Sequence, residues 1–176
     1  MEAVWNLIKN KKALSPIIAT VILVSVTIVV AISVAYWMGS LSGTYTRFEN
    51  VEITSVYANK VTFATGPYNG SAGWNITLTL KNSGSADATL DNVFVNAKPF
   101  NIFDTVTIQV GASFYNKTEG GALAVALASG ASQNVFILIK DSGAADQGVT
   151  FVAGLTLDIK LHSAAGKEYP KLIQLV

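Results

Sequence analysis

The chain has 176 residues, a formal net charge of +1, only 13% charged residues and a mean hydropathy of +0.43. That balance excludes a basic nucleic-acid-binding surface spread over the whole chain. With no cysteine and a single histidine, disulfide scaffolds, thiolate chemistry and paired-histidine metal sites are excluded as well.

Residues 13–46 contain no Asp, Glu, Lys or Arg. The core of this stretch, Pro16 to Met38, is apolar on every side. Twenty such residues at about 1.5 Å each cover a hydrocarbon layer of roughly 30 Å. Ser15 is placed to cap the helix, and Pro16 suits the first helical position because it has no N–H to leave unpaired. Tyr36 and Trp37 fall near the far end, where aromatic rings favour a membrane interface. Gly39, Gly43 and the serines between them read as the exit from the helix. Lys9, Lys11 and Lys12 precede the span, so the positive-inside rule keeps that end cytoplasmic and puts everything after Gly43 outside.

The length of the apolar run and the absence of a small-residue cleavage site after it argue against an ordinary secretory signal. A permanent signal anchor stays open on these grounds. The run Lys11-Lys12-Ala13-Leu14-Ser15-Pro16, leading directly into the apolar span, resembles the class III signal peptide of archaeal type IV pilins. That resemblance implies that a prepilin peptidase cuts between Ala13 and Leu14 and that the hydrophobic helix is retained. It implies a leader over 1–13, a helix over 14–43 and an extracellular domain over 44–176. The helix would sit in the membrane first and in a filament core afterwards, with Pro16, Ile17, Ile18, Val21, Val24, Ile28, Ile32 and Tyr36 among its packing residues. Ile18 occupies the fifth mature position, where bacterial pilins carry glutamate, so register would come from packing alone. The implied partners are copies of the same chain, the peptidase and a membrane assembly machinery. Nucleic acid is not among them.

Past residue 44 the hydrophobic period changes to two. Trp74, Ile76, Leu78 and Leu80 alternate with Asn75, Thr77, Thr79 and Lys81; Leu155, Leu157, Ile159 and Leu161 alternate with Thr156, Asp158, Lys160 and His162. Each run predicts a half-buried strand. Residues 65–73 read as a loop and 82–87 as a turn. Val135 to Ile139 is apolar on both faces, as in a central strand or one covered by a neighbouring subunit. For 120–130, strand and short helix both stay open. Residues 164–167 predict the turn of a last hairpin, with Tyr169 to Leu175 returning and the final residues tied into the sheet. The fold class is therefore α+β, a long helix followed by an all-β, immunoglobulin-like sandwich.

Candidate chemistry is sparse. Three N-glycosylation sequons occur, at Asn69, Asn75 and Asn116. No cofactor is expected beyond N-linked glycans at these positions. His162 lies at a polar strand position and reads as solvent-facing. Asp87, Asp91, Asp141 and Asp146 lack calcium-loop spacing and read as solvated turn residues. Tyr57, Tyr68, Phe100 and Tyr115 read as core or interface residues more readily than as adhesive ones. A non-catalytic subunit of an adhesive surface filament is the leading expectation. A motility-filament archaellin is the variant within that class, and a monomeric membrane-anchored binding domain is the alternative outside it.

Overall fold

The computed structural model describes residues 16–118 and 122–176. The leader-processing residues Lys11, Lys12, Ala13 and Leu14 lie outside them. The chain divides after Thr46 into two units, a helical segment and a β domain from Arg47 to Val176.

Helix α1 spans Pro16–Tyr45, 30 residues, or about 45 Å at 1.5 Å per residue. It has no acidic residue in its first turn and no basic residue in its last. The helix does not end at the glycines: it runs through Gly39 and Gly43. Glycine weakens a helix without breaking it, and no proline follows to stop it.

Among the described residues the β domain has ten strands: β1 (Val51–Thr62), β2 (Ala72–Asn82), β3 (Ala88–Val95), β4 (Lys98–Pro99), β5 (Val106–Val110), β6 (Ser113–Tyr115), β7 (Val125–Leu127), β8 (Ser132–Lys140), β9 (Thr156–Ser163) and β10 (Glu168–Gln174). The first sheet has the order β1-β2-β8-β5-β6; the second has β10-β9-β3-β4, with β7 also pairing with β3. Every pairing is antiparallel. The inward residues of both sheets form one core. Trp74, Ile76, Leu78, Leu80, Ile108, Ile137 and Ile139 come from the first sheet, and Leu90, Val93, Val95, Leu157, Ile159 and Leu161 from the second. Period-two alternation, with a bulge between Leu90 and Asn92 in β3, places these residues on one face of each strand, and burying that face against the other sheet is what makes the sandwich. The ambiguous 120–130 segment holds the short strand β7.

Strand β8 is central, flanked by β2 and β5. Its core face is Val135, Ile137 and Ile139. Its other face is covered by the chain's own β1–β2 loop, where Phe63 and Tyr68 pack over Leu138 with Val61, Phe114 and Phe136 around them. The start of β2 is tightly packed between β8 and this loop: a Cβ on Gly73 would stand 2.2 Å from the Ile139 carbonyl oxygen and 2.6 Å from the Phe63 ring. Glycine is the residue that such a close approach of backbone and ring permits.

Polar side chains hold the ends of the sandwich. Asn82 is fully buried; its amide donates to the carbonyls of Ala86 at 2.8 Å and Leu127 at 3.0 Å, and its oxygen accepts from Gly84 N–H at 2.9 Å. The segment before β1 is strapped down beside it. Phe48 N–H donates to Ser85 Oγ at 3.1 Å, Ala86 N–H donates to the Phe48 carbonyl and Ser83 N–H to the Asn50 carbonyl. Gly84 makes this possible, since a Cβ there would lie 2.4 Å from the Phe48 carbonyl oxygen. Buried Ser163 donates to Glu49, and Lys167 donates to the Glu49 carbonyl. The last residues are tied in as their apolarity predicted: Leu175 N–H donates to the Leu155 carbonyl, and the Trp74 indole N–H donates to the Val176 carbonyl at 3.1 Å.

Candidate functional site: an unpartnered apolar helix

Across Pro16–Gly43 the helix is long and apolar enough to cross a membrane, and none of its most apolar window is buried within the chain. Ile17, Ile18, Val21, Val24, Ile28, Ile32 and Tyr36 are all half or more exposed, Tyr36 at 83%. Apolar side chains point in every direction, so no polar face marks a side for water.

Four hydroxyls in this span are satisfied locally. Thr20 donates to the Ile17 carbonyl and Thr27 to that of Val24, both at 2.8 Å. Ser25 donates to the Val21 carbonyl and Ser33 to that of Val29, both at 2.7 Å. Such back-bonding to the preceding turn removes the cost of placing a hydroxyl in an apolar medium. At these four positions the outer surface of the helix is therefore chemically apolar.

A feature missed in the sequence is the row Ala31, Ala35, Gly39 and Gly43, four residues apart. Treating the glycines as an exit from the helix hid it. Spacing of four puts these positions on one ridge of the helix, and small residues on a ridge let a second helix approach closely. A Cβ added to Gly39 or Gly43 would meet nothing within 4 Å. Each glycine costs roughly 1 kcal/mol of helix stability against alanine, and no contact among the described residues uses the space it leaves.

The β domain carries the remaining candidates. Asn69 is exposed in the β1–β2 loop, Asn75 is half-buried within β2, and Asn116 is partly exposed just after β6. His162 is partly exposed and paired: its Nδ1 lies 2.6 Å from Asp91 Oδ1. Asp141 pairs with Lys60 at 3.1 Å. Asp146 is not a solvated turn residue. It is 8% exposed, and its carboxylate accepts from Thr105 N–H at 2.8 Å and Thr105 Oγ1 at 2.6 Å, fixing the turn before β5. Tyr68 and Phe100 are core, Tyr115 packs against the core, and Tyr57 is 50% exposed. Burial pushes the Tyr68 phenol above its ordinary pKa, with the Asp146 and Asp104 charges adding to the effect. Burial also raises that of Tyr169. No group of three or more His, Asp or Glu that could hold a metal forms among the described residues.

No known protein family matches the chain, and no curated protein does. Among solved structures, it is similar to the Iho670 flagellar-like filament at 13% identity over 92% of this chain and 98% of that one, with a TM-score of 0.39. A superposition that loose does not establish a shared fold.

Proposed function

We propose that this chain is a non-catalytic structural subunit of an extracellular filament of the adhesive type IV pilus class, assembled through α1. The observation that carries the proposal is the pairing of two opposite units. One is an uncharged helix whose apolar surface is exposed among the described residues. The other is a β domain that completes its own core. A helix of this kind is insoluble alone, so it rests in lipid or against copies of itself. Moving from lipid to a helix bundle exchanges one apolar surrounding for another. Close packing then supplies the gain, and the Ala31–Gly43 ridge and the back-bonded hydroxyls suit it. In this proposal the prepilin peptidase cuts between Ala13 and Leu14, the membrane assembly machinery extracts the subunit, and the β domains form the outer layer.

The intact mass of the protein recovered from the cell surface tests this. A chain beginning at Leu14, found in filaments by electron microscopy, is the expected result. A chain that keeps its leader and stays monomeric in the membrane would overturn the proposal in favour of an anchored binding domain. A motility filament would share the processing and differ in the cell's loss of swimming when the subunit is deleted.

A further inference from the structure

Strand register places the three sequons on one side of the sandwich. The outer face of the first sheet is built from cross-strand rows. Ser55, Thr79 and Asn134 form one; Tyr57, Thr77, Phe136, Gln109 and Phe114 the next; Asn59, Asn75, Leu138 and Thr107 the third. These three central rows contain no charged residue; the flanking outer rows carry Glu52 and Lys81 at one end and Lys140 at the other. The outer face of the second sheet carries the Lys160–Glu168 and His162–Asp91 pairs. Asn75 lies within these uncharged rows, Asn69 in the loop that folds over that face, and Asn116 at its β6 rim.

Asn69 and Asn116 share one corner of that face. The Tyr68 hydroxyl donates to the Asp104 carbonyl at 3.2 Å, and Lys117 Nζ lies 2.9 Å from Asp104 Oδ1. The residues next to both sequon asparagines thus meet at Asp104. Gly66 of the same loop lies against the Phe114 ring. Both sequons are also in turns. Asn69 N–H donates to the Gly66 carbonyl at 3.2 Å and Ser71 N–H to that of Tyr68 at 2.9 Å. Thr118 N–H donates to Asn116 Oδ1 at 2.9 Å, folding the sequon so that its hydroxyl residue sits beside the asparagine amide.

Asn75 is held differently. It pairs with Asn59 on one side and Leu138 on the other, so it cannot turn without opening two ladders. Its Oδ1 is buried without a hydrogen-bond partner. Leu138, its neighbour in the row, is 4% exposed beneath Phe63 and Tyr68. A sugar there would have to displace this loop.

We propose that Asn69 and Asn116 are attachment points for N-linked glycans on the folded domain and that Asn75 is not. The donor class is an oligosaccharide activated on a lipid phosphate. The bond from the sugar's anomeric carbon to the phosphate oxygen breaks, with its electron pair leaving on the phosphate. A bond from that carbon to asparagine Nδ2 forms, and Nδ2 gives a proton to a base of the transferase. The inference rests on the extracellular placement in the proposed function and does not require polymerisation.

Glycopeptide mass spectrometry of the chain recovered from its own cell surface tests the assignment. The expected result is one glycan mass on each of the Asn69 and Asn116 peptides and none on the Asn75 peptide. Ser71→Ala and Thr118→Ala should each lose one glycan mass, and Thr118→Ser should retain it. A glycan on Asn75 overturns the inference, and a bare Asn69 or Asn116 overturns it for that residue. Bare sequons on a chain found in filaments would sink this inference alone. A glycosylated chain that stays monomeric would sink the filament proposal alone.

Discussion

The helix and the β domain solve opposite problems with the same amino acids. In α1, Ile and Val face outward and the hydroxyls of Thr20, Ser25, Thr27 and Ser33 bond inward to the preceding turn. In the domain, Ile, Leu and Val face inward and most hydroxyls and charges lie at the surface. The domain's stability is therefore internal to the chain. The helix keeps its apolar surface exposed, and in the proposed function lipid or other helices surround it. Any substitution that strikes one unit should leave the other unchanged, and this independence is open to direct test.

The largest effect is expected at Trp74. It is 1% exposed in the middle of the core, and its indole also holds the Val176 carbonyl. Trp74→Ala should destabilise the domain by about 4 kcal/mol, read as a shift in the denaturant midpoint of detergent-solubilised protein. The helical circular-dichroism signal should survive the transition. Simultaneous loss of both signals would show that the two units are coupled.

Ile28→Lys reverses the experiment. A lysine near the centre of a span costs about 3 kcal/mol, and this helix offers no buried acid to pair with it. Membrane insertion and filament yield should fall by roughly a hundredfold, while amide exchange in β2 and β8 stays as in the parent. Slowed or accelerated exchange there would break the comparison.

How much of each unit could be read beforehand follows from the range of the interactions involved. The helix and strands β2 and β9 were legible, because composition and period are local properties. The two-sided apolarity of β8 was legible too, but not its cover: the loop bearing Phe63 and Tyr68 lies some seventy residues away in sequence. Polar residues misled most. Asn82 and Asp146 look like turn residues and are buried anchors, since their partners Leu127 and Thr105 are 45 and 41 positions distant. In the helix, the ridge through Gly39 and Gly43 was hidden by reading glycine as a terminator. Turn chemistry and helix packing both use that residue, and only the observed helix separates the two roles.

Asn82 gives the next effect in size. Asn82→Ala leaves the carbonyls of Ala86 and Leu127 and the amide of Gly84 without their partner in a buried site. A loss of about 2 kcal/mol is expected, measured as thermal or denaturant stability of the domain. If the loss is negligible, water must enter this end of the sandwich and the strap at Phe48–Asn50 is looser than its hydrogen bonds imply.

The smallest effect concerns the loop that covers β8, and its sign is set by pH. The Tyr68 phenol ionises in the folded domain at a pKa raised above its ordinary 10.0, chiefly through burial. The unfolded chain releases that proton more readily. The stabilisation is fully present below pH 10 and is lost as pH rises through the folded-state value. Tyr68→Phe removes the hydrogen bond to the Asp104 carbonyl, which should cost about 1 kcal/mol at neutral pH. It should also flatten the fall in stability above pH 10, so parent and variant converge as pH rises. Tyr169, raised in the same direction, leaves a residual slope that the double variant Tyr68→Phe, Tyr169→Phe should reduce further. A variant that keeps the full alkaline slope would mean that Tyr68 is hydrated and that the loop does not seal the outer face of β8. That face would then join α1 as a second apolar surface in need of a partner outside the chain.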